Sequence, residues 1–433
     1  MLDALRTTIA KVIAPPNKRG LDANISGPRR LATDMNPVST IMAGRAQVMA
    51  KARQLVRNNP YARAGQSIYT DVLSGATATP QHEELTQAFQ DWAEEHDLYG
   101  KVAQAVAAMV CDGEALLVFG YGDELSLQVL PSERLDDSKS VSVTASGGSI
   151  VNGVEFDAAG NRTGYWIYPN DPNVSFGWAQ SRFFPASDVI HLFKTETPGQ
   201  VRGLSWFAPV LLKLNELDSL TDALVATHRT SALLSVFLVN QNNIGALPFD
   251  GSSDSAGVLE SGISPGDVRV LPAGYDVKTL TPQHVAEGPA LIESELYAIA
   301  TGLQVPAFWL SGDVSNANYS SLRAALLAFR AHVETIRRSV LLPVLYRPIW
   351  NRWATYGQLV GSLPADDPGR SDWRFEPVPS ADDLKAAQAD VAEIEAGFKS
   401  RKQAIAERGG SIAQVDADRA ADPFLGEQKG VQS

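Results

Sequence analysis

The spacing of apolar positions changes several times along the chain, and each change predicts a new kind of element. From Pro37 to Ser74 apolar residues recur at helical spacing in two stretches joined at "RNNPYAR". A residue before proline avoids the helical region, so Asn59-Pro60 predicts a break there. Glu83–Glu95 and Tyr99–Val110 predict two further helices, the second apolar on most faces. Past "DGEALLVFGYG" the period shortens. Runs such as "LSLQVLP", "SIVNGVEF", "TGYWIYP" and "DVIHLF", with Gly, Asn and Asp between them, predict strands.

A longer helical pattern follows from Ser205 to about Asn240, with Phe207, Val210, Leu214, Leu217 and Leu224 on one face. Ser205 is a capping residue, Pro209 suits the first turn, and the full pattern predicts a helix of roughly 50 Å. "NNIGALPFDGSSDSAGVLESGISPGD" is loop-rich, "DVRVLPAGYDVKTL" predicts two short strands, and "PALIESELYAIATGL" a helix ending at Gly302. Ser311–Asn318, "SGDVSNAN", then offers one apolar side chain larger than Ala, Val314. Directly behind it Leu322, Leu326, Phe329, Val333, Ile336 and Val340 form a single seam, while Arg323, Arg330 and Arg337, seven apart, form a cationic stripe. Pro343 and Pro348 predict a kink or break in this helix. "SLPADDPGRSDWRFEPVPS" has the composition of a linker, and the remainder is helical. The fold class expected is α+β, mainly helical.

At 433 residues and 44% hydrophobic, the chain can bury two or more cores. Its lone cysteine, Cys111, rules out an internal disulfide and points to the core. No apolar run reaches the length of a membrane span, and the opening residues do not form a signal peptide. The net charge of −12 is uneven: +8 over residues 1–63, −15 over 64–365 and −5 over 366–433. A basic arm on an acidic body suggests that the arm, if either, touches nucleic acid or an acidic partner.

Enzyme chemistry finds little support. None of the six histidines pairs with another His or with Cys at ligand spacing, so no zinc site is expected. No phosphate-cradling loop and no serine nucleophile motif occurs. Asp416, Asp418 and Asp422 lack the glycine and terminal Glu of a calcium loop. "CDGEA", Cys111–Ala115, reads as a helix-to-strand turn rather than a catalytic pair. No cofactor is expected.

Four segments occur in an order that resembles the lambda-type portal proteins of tailed double-stranded DNA bacteriophages: "RNNPYARAG", "DGEALLV", "PGQVRGLSWFAPVLLKL" and "VPAFWLSGDVSNANYSSLRAALLAF". The likeness runs from about Asn36 to Phe424. It implies a homo-oligomeric ring, usually of twelve subunits, at one capsid vertex. The ring would be a conduit for DNA packaging and ejection, with no membrane and no sequence specificity. The partners implied are the terminase large subunit, a head–tail adaptor, and major capsid and scaffolding proteins. The resemblance divides the chain into a basic arm (1–35), an α/β wing (36–204), a first stem helix (205–240) and a clip (241–286). A second stem helix and turn (287–310), a tunnel loop (311–318), a long wing helix (319–362) and a helical, crown-like C-terminal region (363–433) follow. The tunnel loop would present Ser311, Gly312, Asp313, Val314, Ser315, Asn316, Ala317 and Asn318 to DNA. Glu287, Glu293 and Glu295 are acidic candidates for the channel wall. Arg323, Arg330 and Arg337, with Glu216, Asp218 and Asp222, are candidates for subunit contacts. In the clip, Phe249, Asp250, Gly251, Ser252, Ser253, Asp254 and Ser255 are candidates for docking terminase and adaptor. Another capsid or head–tail structural protein remains the alternative, and a nucleic-acid-processing enzyme a more distant one.

Overall fold

The computed structural model describes residues 37–82, 84–145, 147–171, 180–233, 237–240, 275–278, 288–315, 319–364, 367–379, 383–410 and 412–421. The chain divides into a larger body, 1–212 with 300–433, and a smaller one, 213–299. Among the described residues no helix is long and apolar enough to cross a membrane.

The first described element of the larger body is helix α1, Pro37–Asn58, whose buried positions Ile41, Val48, Met49, Ala52 and Val56 keep one helical stripe. Arg45 lies on that same stripe and is buried with them. The expected break follows: Asn59 is extended, its side chain accepts the Ala62 amide at 2.9 Å, and Pro60 starts α2, Pro60–Ser74. Helices α3, Glu84–Glu95, and α4, Leu98–Asp112, come next. The second is buried along most of its length, as its composition predicts.

Two antiparallel sheets account for most of the predicted strands. One has the order Leu125–Leu130, Glu114–Tyr121, Val189–Phe193; the other runs Ser149–Val151, Val154–Phe156, Arg162–Ile167, Arg182–Pro185. "SIVNGVEF" is a hairpin turning on Asn152 and Gly153, both with positive φ. That conformation is what Asn-Gly supplies in a two-residue loop. The stretch expected to be a linker contains a strand, Ser371–Phe375, paired with Ala76–Pro80. Both strands are five residues long and nearly 300 positions apart, so neither advertises the other in sequence.

The long helix is not broken at its prolines, though it changes character there. Tyr319–Ile336 (α8) passes without interruption into a π-helical segment, Arg337–Tyr346, and then into Arg347–Val360 (α9). Pro343 sits inside the π segment and Pro348 in the first turn of α9. The wider π turn moves the carbonyl that a proline ring would strike, so the chain stays helical. The predicted seam holds: Leu326, Phe329, Val333, Ile336 and Val340 are buried, and Leu322 is half-buried. Across from it Tyr69 packs edge-on to Trp206, touches Phe329 and donates to the Leu303 carbonyl at 2.7 Å.

The helix expected over Ser205–Asn240 is shorter than predicted. Residues 206–210 form turns, and the helix, α5, spans Leu211–Leu233. Its 23 residues cover about 35 Å, not 50. Phe237–Asn240 is a strand, paired antiparallel with Tyr275–Lys278. Helical spacing continues across Ser231–Asn240, but its Val and Phe residues favour a strand once a partner strand is supplied. The second of the two strands predicted from "DVRVLPAGYDVKTL" is therefore present, and the first lies outside the described residues. Helix α6, Gly288–Leu303, returns the chain to the larger body.

Candidate functional site

The exposed segment at Ser311 is built by a helix stop. Helix α7, Ala307–Ser311, ends at Gly312, whose φ of 73° lets its amide reach back to the Phe308 carbonyl at 2.9 Å. Asp313 turns on itself: its carboxylate accepts the Ser315 amide at 2.8 Å. Hydrogen bonds from Ser315 hold that carboxyl below its ordinary range, so it carries charge. Ser311 through Ser315 are all exposed, and Val314 retains 57% of its surface. Asn316, Ala317 and Asn318 lie outside the described residues. Behind the segment Trp309 meets Phe329 edge-on at 5.2 Å, which ties α7 to the seam of α8.

In the smaller body Glu293 is exposed and accepts the Tyr297 hydroxyl at 3.0 Å. Glu295 is half-buried against Lys213 at 2.7 Å, so its charge is largely answered inside the body. Glu216, Asp218 and Asp222 are exposed along α5. Glu287 lies outside the described residues, as do Phe249, Asp250, Gly251, Ser252, Ser253, Asp254 and Ser255.

The arginine stripe is not one surface. Arg337 is buried, lies over the Phe375 ring, and donates to the carbonyls of Val72 and Glu376 at 2.6 and 2.8 Å. Arg330 donates to the Val378 carbonyl at 2.7 Å. Only Arg323 of the three is exposed. A spacing of seven puts three side chains on one stripe, but it carries no information about what covers the stripe. Here residues 375–378 cover it.

The strongest polar constellation is one that residue patterns did not single out. Glu114, the first residue of its strand, is completely buried. It accepts from Arg202 at 2.5 and 3.0 Å, from Arg45 at 3.1 Å, from His191 at 3.0 Å and from the Gly203 amide at 2.8 Å. Both arginines also reach Asp137, which closes a ring of alternating charge. Burial alone would push the Glu114 carboxyl up; Arg202 and Arg45 override it and hold the carboxyl well below the ordinary range. Burial moves His191 the other way, from 6.5 to about 4, so its imidazole is neutral. Its Nδ1 has no partner, which fits a ring that gives its only proton to Glu114 through Nε2.

The backbone fits the same joint. Gly113, with φ of 97°, packs so closely that a Cβ would lie 2.3 Å from the Leu204 carbonyl carbon, and one on Gly203 would lie 2.0 Å from the Gly113 oxygen. Next door Asp112 pairs with Arg53 at 2.6 Å, and Glu133 pairs with the same arginine. Two of the basic residues near the N-terminus thus pin α1 to carboxylates of the larger body. The reading of "CDGEA" as a turn stands, and the oxygens of Glu114 are consumed by donors. Cys111 is buried beside it, and burial pushes its thiol up to about 12, which makes it unreactive. The signal available in sequence was a charge placed inside an otherwise apolar, glycine-bearing run, once at Glu114 and once at Arg202.

These two glycine joints and the exposed segment all fall inside one family match. The model for the phage portal protein, lambda family, matches residues 29–337. Portal protein B of Escherichia phage lambda is 23% identical over 86% of this chain and 82% of its own length. The portal protein of Escherichia phage N15 is 24% identical over the same shares. Among solved structures, a chain in the neck of an empty GTA particle computed with C6 symmetry superposes with a TM-score of 0.52 at 16% identity. That superposition covers 85% of this chain and 94% of the other, and shows a shared fold. With the match running from α1 through α8, the chain belongs to the lambda family of phage portal proteins.

Proposed function

We propose that this portal protein is one subunit of a twelve-membered ring at a single capsid vertex of a virion, through which double-stranded DNA enters during packaging and leaves on ejection. The observation that carries this reading is the family match, which spans both long helices of the smaller body, the Ser311 segment and the helix behind it. In this reading α5 and α6 are the stem, residues 241–286 the clip that docks the terminase large subunit and then the head–tail adaptor, and Ser311–Asn318 the tunnel loop. Residues 363–433 form a crown-like region, and the wing faces major capsid and scaffolding proteins.

Electrostatics support a conduit rather than a binder. A lumen rich in lysine would hold phosphates by counterion release. Residues 64–365 instead carry a balance of −15. Such a wall repels phosphates over the 8–10 Å or so that salt allows. Glu293 is exposed and suits this role; Glu295 suits it less, being paired with Lys213. Of the arginine stripe, Arg323 is the residue left to meet a neighbouring subunit, with Glu216, Asp218 and Asp222 as candidate acceptors.

Three measurements test this. Negative-stain microscopy of the purified protein is expected to show rings with a central hole; compact monomers at high concentration would refute it. Rings lacking Asp313–Ala317 are expected to assemble normally, then fail to package a full genome or fail to retain it, read as the length of nuclease-protected DNA. Asp313→Lys should slow translocation at low salt and recover at higher salt, the signature of a screened phosphate contact. Full-length, fully retained DNA from the deletion ring would show that the segment is an ordinary surface loop.

A further inference from the structure

The end of α3 and the turn between the strands Glu114–Tyr121 and Leu125–Leu130 bring together Glu95, His96 and Glu124. One ligating atom from each lies within 4.8 Å of the others. The central group is His96. Its Nδ1 lies 3.1 Å from the Trp92 carbonyl oxygen, an atom that can only accept, so Nδ1 carries a proton. In the neutral ring Nε2 then presents a lone pair, and the Glu124 carboxylate lies 3.4 Å from it. Two acceptors facing each other at that distance repel unless something positive sits between them. A second proton on the ring would do this, and so would a divalent cation.

We infer that Glu95, His96 and Glu124 form a site for a divalent transition metal, with Zn²⁺ the best match. A neutral imidazole and two carboxylates suit zinc, with water completing the tetrahedron; magnesium and calcium prefer all-oxygen shells. A carbonyl that fixes the ring through its other nitrogen is the usual support of a metal-bound histidine. The scaffold is held from both sides. The Trp92 ring stacks on the imidazole at 5.3 Å, and its indole donates to the Leu125 carbonyl at 2.9 Å. Tyr356 donates to the Gly122 carbonyl across the same turn at 2.5 Å. The His96 side chain is 14% exposed and that of Glu124 61%, so an ion can enter from solvent. Bound metal would staple the end of α3 to the hairpin. The sequence hides this site because Glu124 comes from a different element 28 positions away, and no spacing rule links it to His96.

The test uses the full chain, stripped with chelator and titrated calorimetrically with Zn²⁺. One tight site is expected, with a rise in melting temperature on Zn²⁺ but not on Mg²⁺ at the same concentration. His96→Gln and Glu124→Gln should each weaken that site by about tenfold or more, the scale on which zinc sites respond even to lost supporting contacts. Both should also abolish the melting shift. Glu124→Gln lies on an exposed turn, and its zinc-free melting temperature, matched to wild type, verifies that it folds. Cobalt offers a second readout, through a visible absorption band present in wild type and absent in both variants. No zinc binding by wild type would mean that a proton alone fills the gap. Tight binding retained in either variant would place the metal elsewhere, and an equal response to Mg²⁺ would mean a diffuse acidic surface. Any of the three overturns the assignment.

Discussion

Two glycine–acid pairs follow helix ends in this protein and meet opposite fates. Gly113-Glu114 follows α4, and Gly312-Asp313 follows α7. Both glycines take the left-handed conformation that closes a helix. Around Gly113 the Leu204–Ser205 backbone leaves no room for a Cβ, whereas nothing lies within 4 Å of one on Gly312. Glu114 is enclosed by two arginines, a histidine and an amide; the Asp313 carboxylate accepts from Ser315, its amide donates to Ser311 Oγ, and the residue is exposed. One joint is determined from every side and holds α1, two strands and the Arg202 turn together. The other is exposed, and its glycine has open space around it.

The largest effect should come from breaking the first joint. Glu114→Ala leaves two buried guanidiniums without their shared anion, and the expected loss is about 3–5 kcal/mol. It should appear as a fall in the denaturation midpoint or as insoluble protein. Asp313→Ala should leave the midpoint where it was. If both variants melt alike, the contrast drawn here fails.

Next comes the glycine comparison. Gly113→Ala carries a left-handed penalty of about 1–2 kcal/mol plus about 1–3 kcal/mol for a Cβ driven into backbone. Gly312→Ala carries only the first. Denaturant titrations of the two variants should therefore differ by at least the overpacking cost.

Acid should loosen the buried joint before it affects the segment. Unfolded His191 takes up a proton near 6.5, folded His191 only near 4. Between those values the unfolded state binds more protons, so this stabilisation is complete above pH 6.5 and is lost on descending toward 4, at up to about 1.4 kcal/mol per pH unit. Glu114 adds a further loss below its ordinary 4.5, because its folded carboxyl sits lower still. His191→Gln should flatten stability between pH 6.5 and 4 in urea melts; a slope equal to wild type would mean that another group titrates.

Smaller effects sharpen the other side of the comparison. The Lys213–Glu295 pair is partly exposed, so Lys213→Met should cost under about 1 kcal/mol. Val314→Ser removes a methyl surface already more than half in water and should change stability by less than about 0.5 kcal/mol. A large loss from it would mean that the segment packs against something.

Local chemistry was legible throughout. Asn59-Pro60 stops α1, Asn152-Gly153 turns a hairpin, and the seam from Leu326 to Val340 buries one face of a long helix. Each depends on residues a few positions apart, and that is the range over which φ preference and side-chain period act. The polarity of Ser311–Ser315 likewise foretold exposure. Spacing misled where a distant partner intervened. Phe237–Asn240 keeps helical periodicity but pairs with Tyr275–Lys278, and Arg337 keeps the period of a surface stripe but is buried against the Phe375 ring.

What the sequence determined by itself was the local breaks and turns, which faces are apolar, and which family the order of segments resembles. Tertiary structure alone decided which charges are buried. Arg45, Glu114, His191 and Arg202 come from separated parts of the chain, and the exposed Asp137 joins them from another. An isolated buried charge is prohibitive, whereas one enclosed by opposite charges and hydrogen-bond donors is tolerated. Enclosure depends on all members arriving together, so no one of the buried residues reveals its burial in its own neighbourhood of the sequence. Glu114 and Asp313 follow the same glycine signal; Arg202 closes over one and the other is exposed, and that separates them.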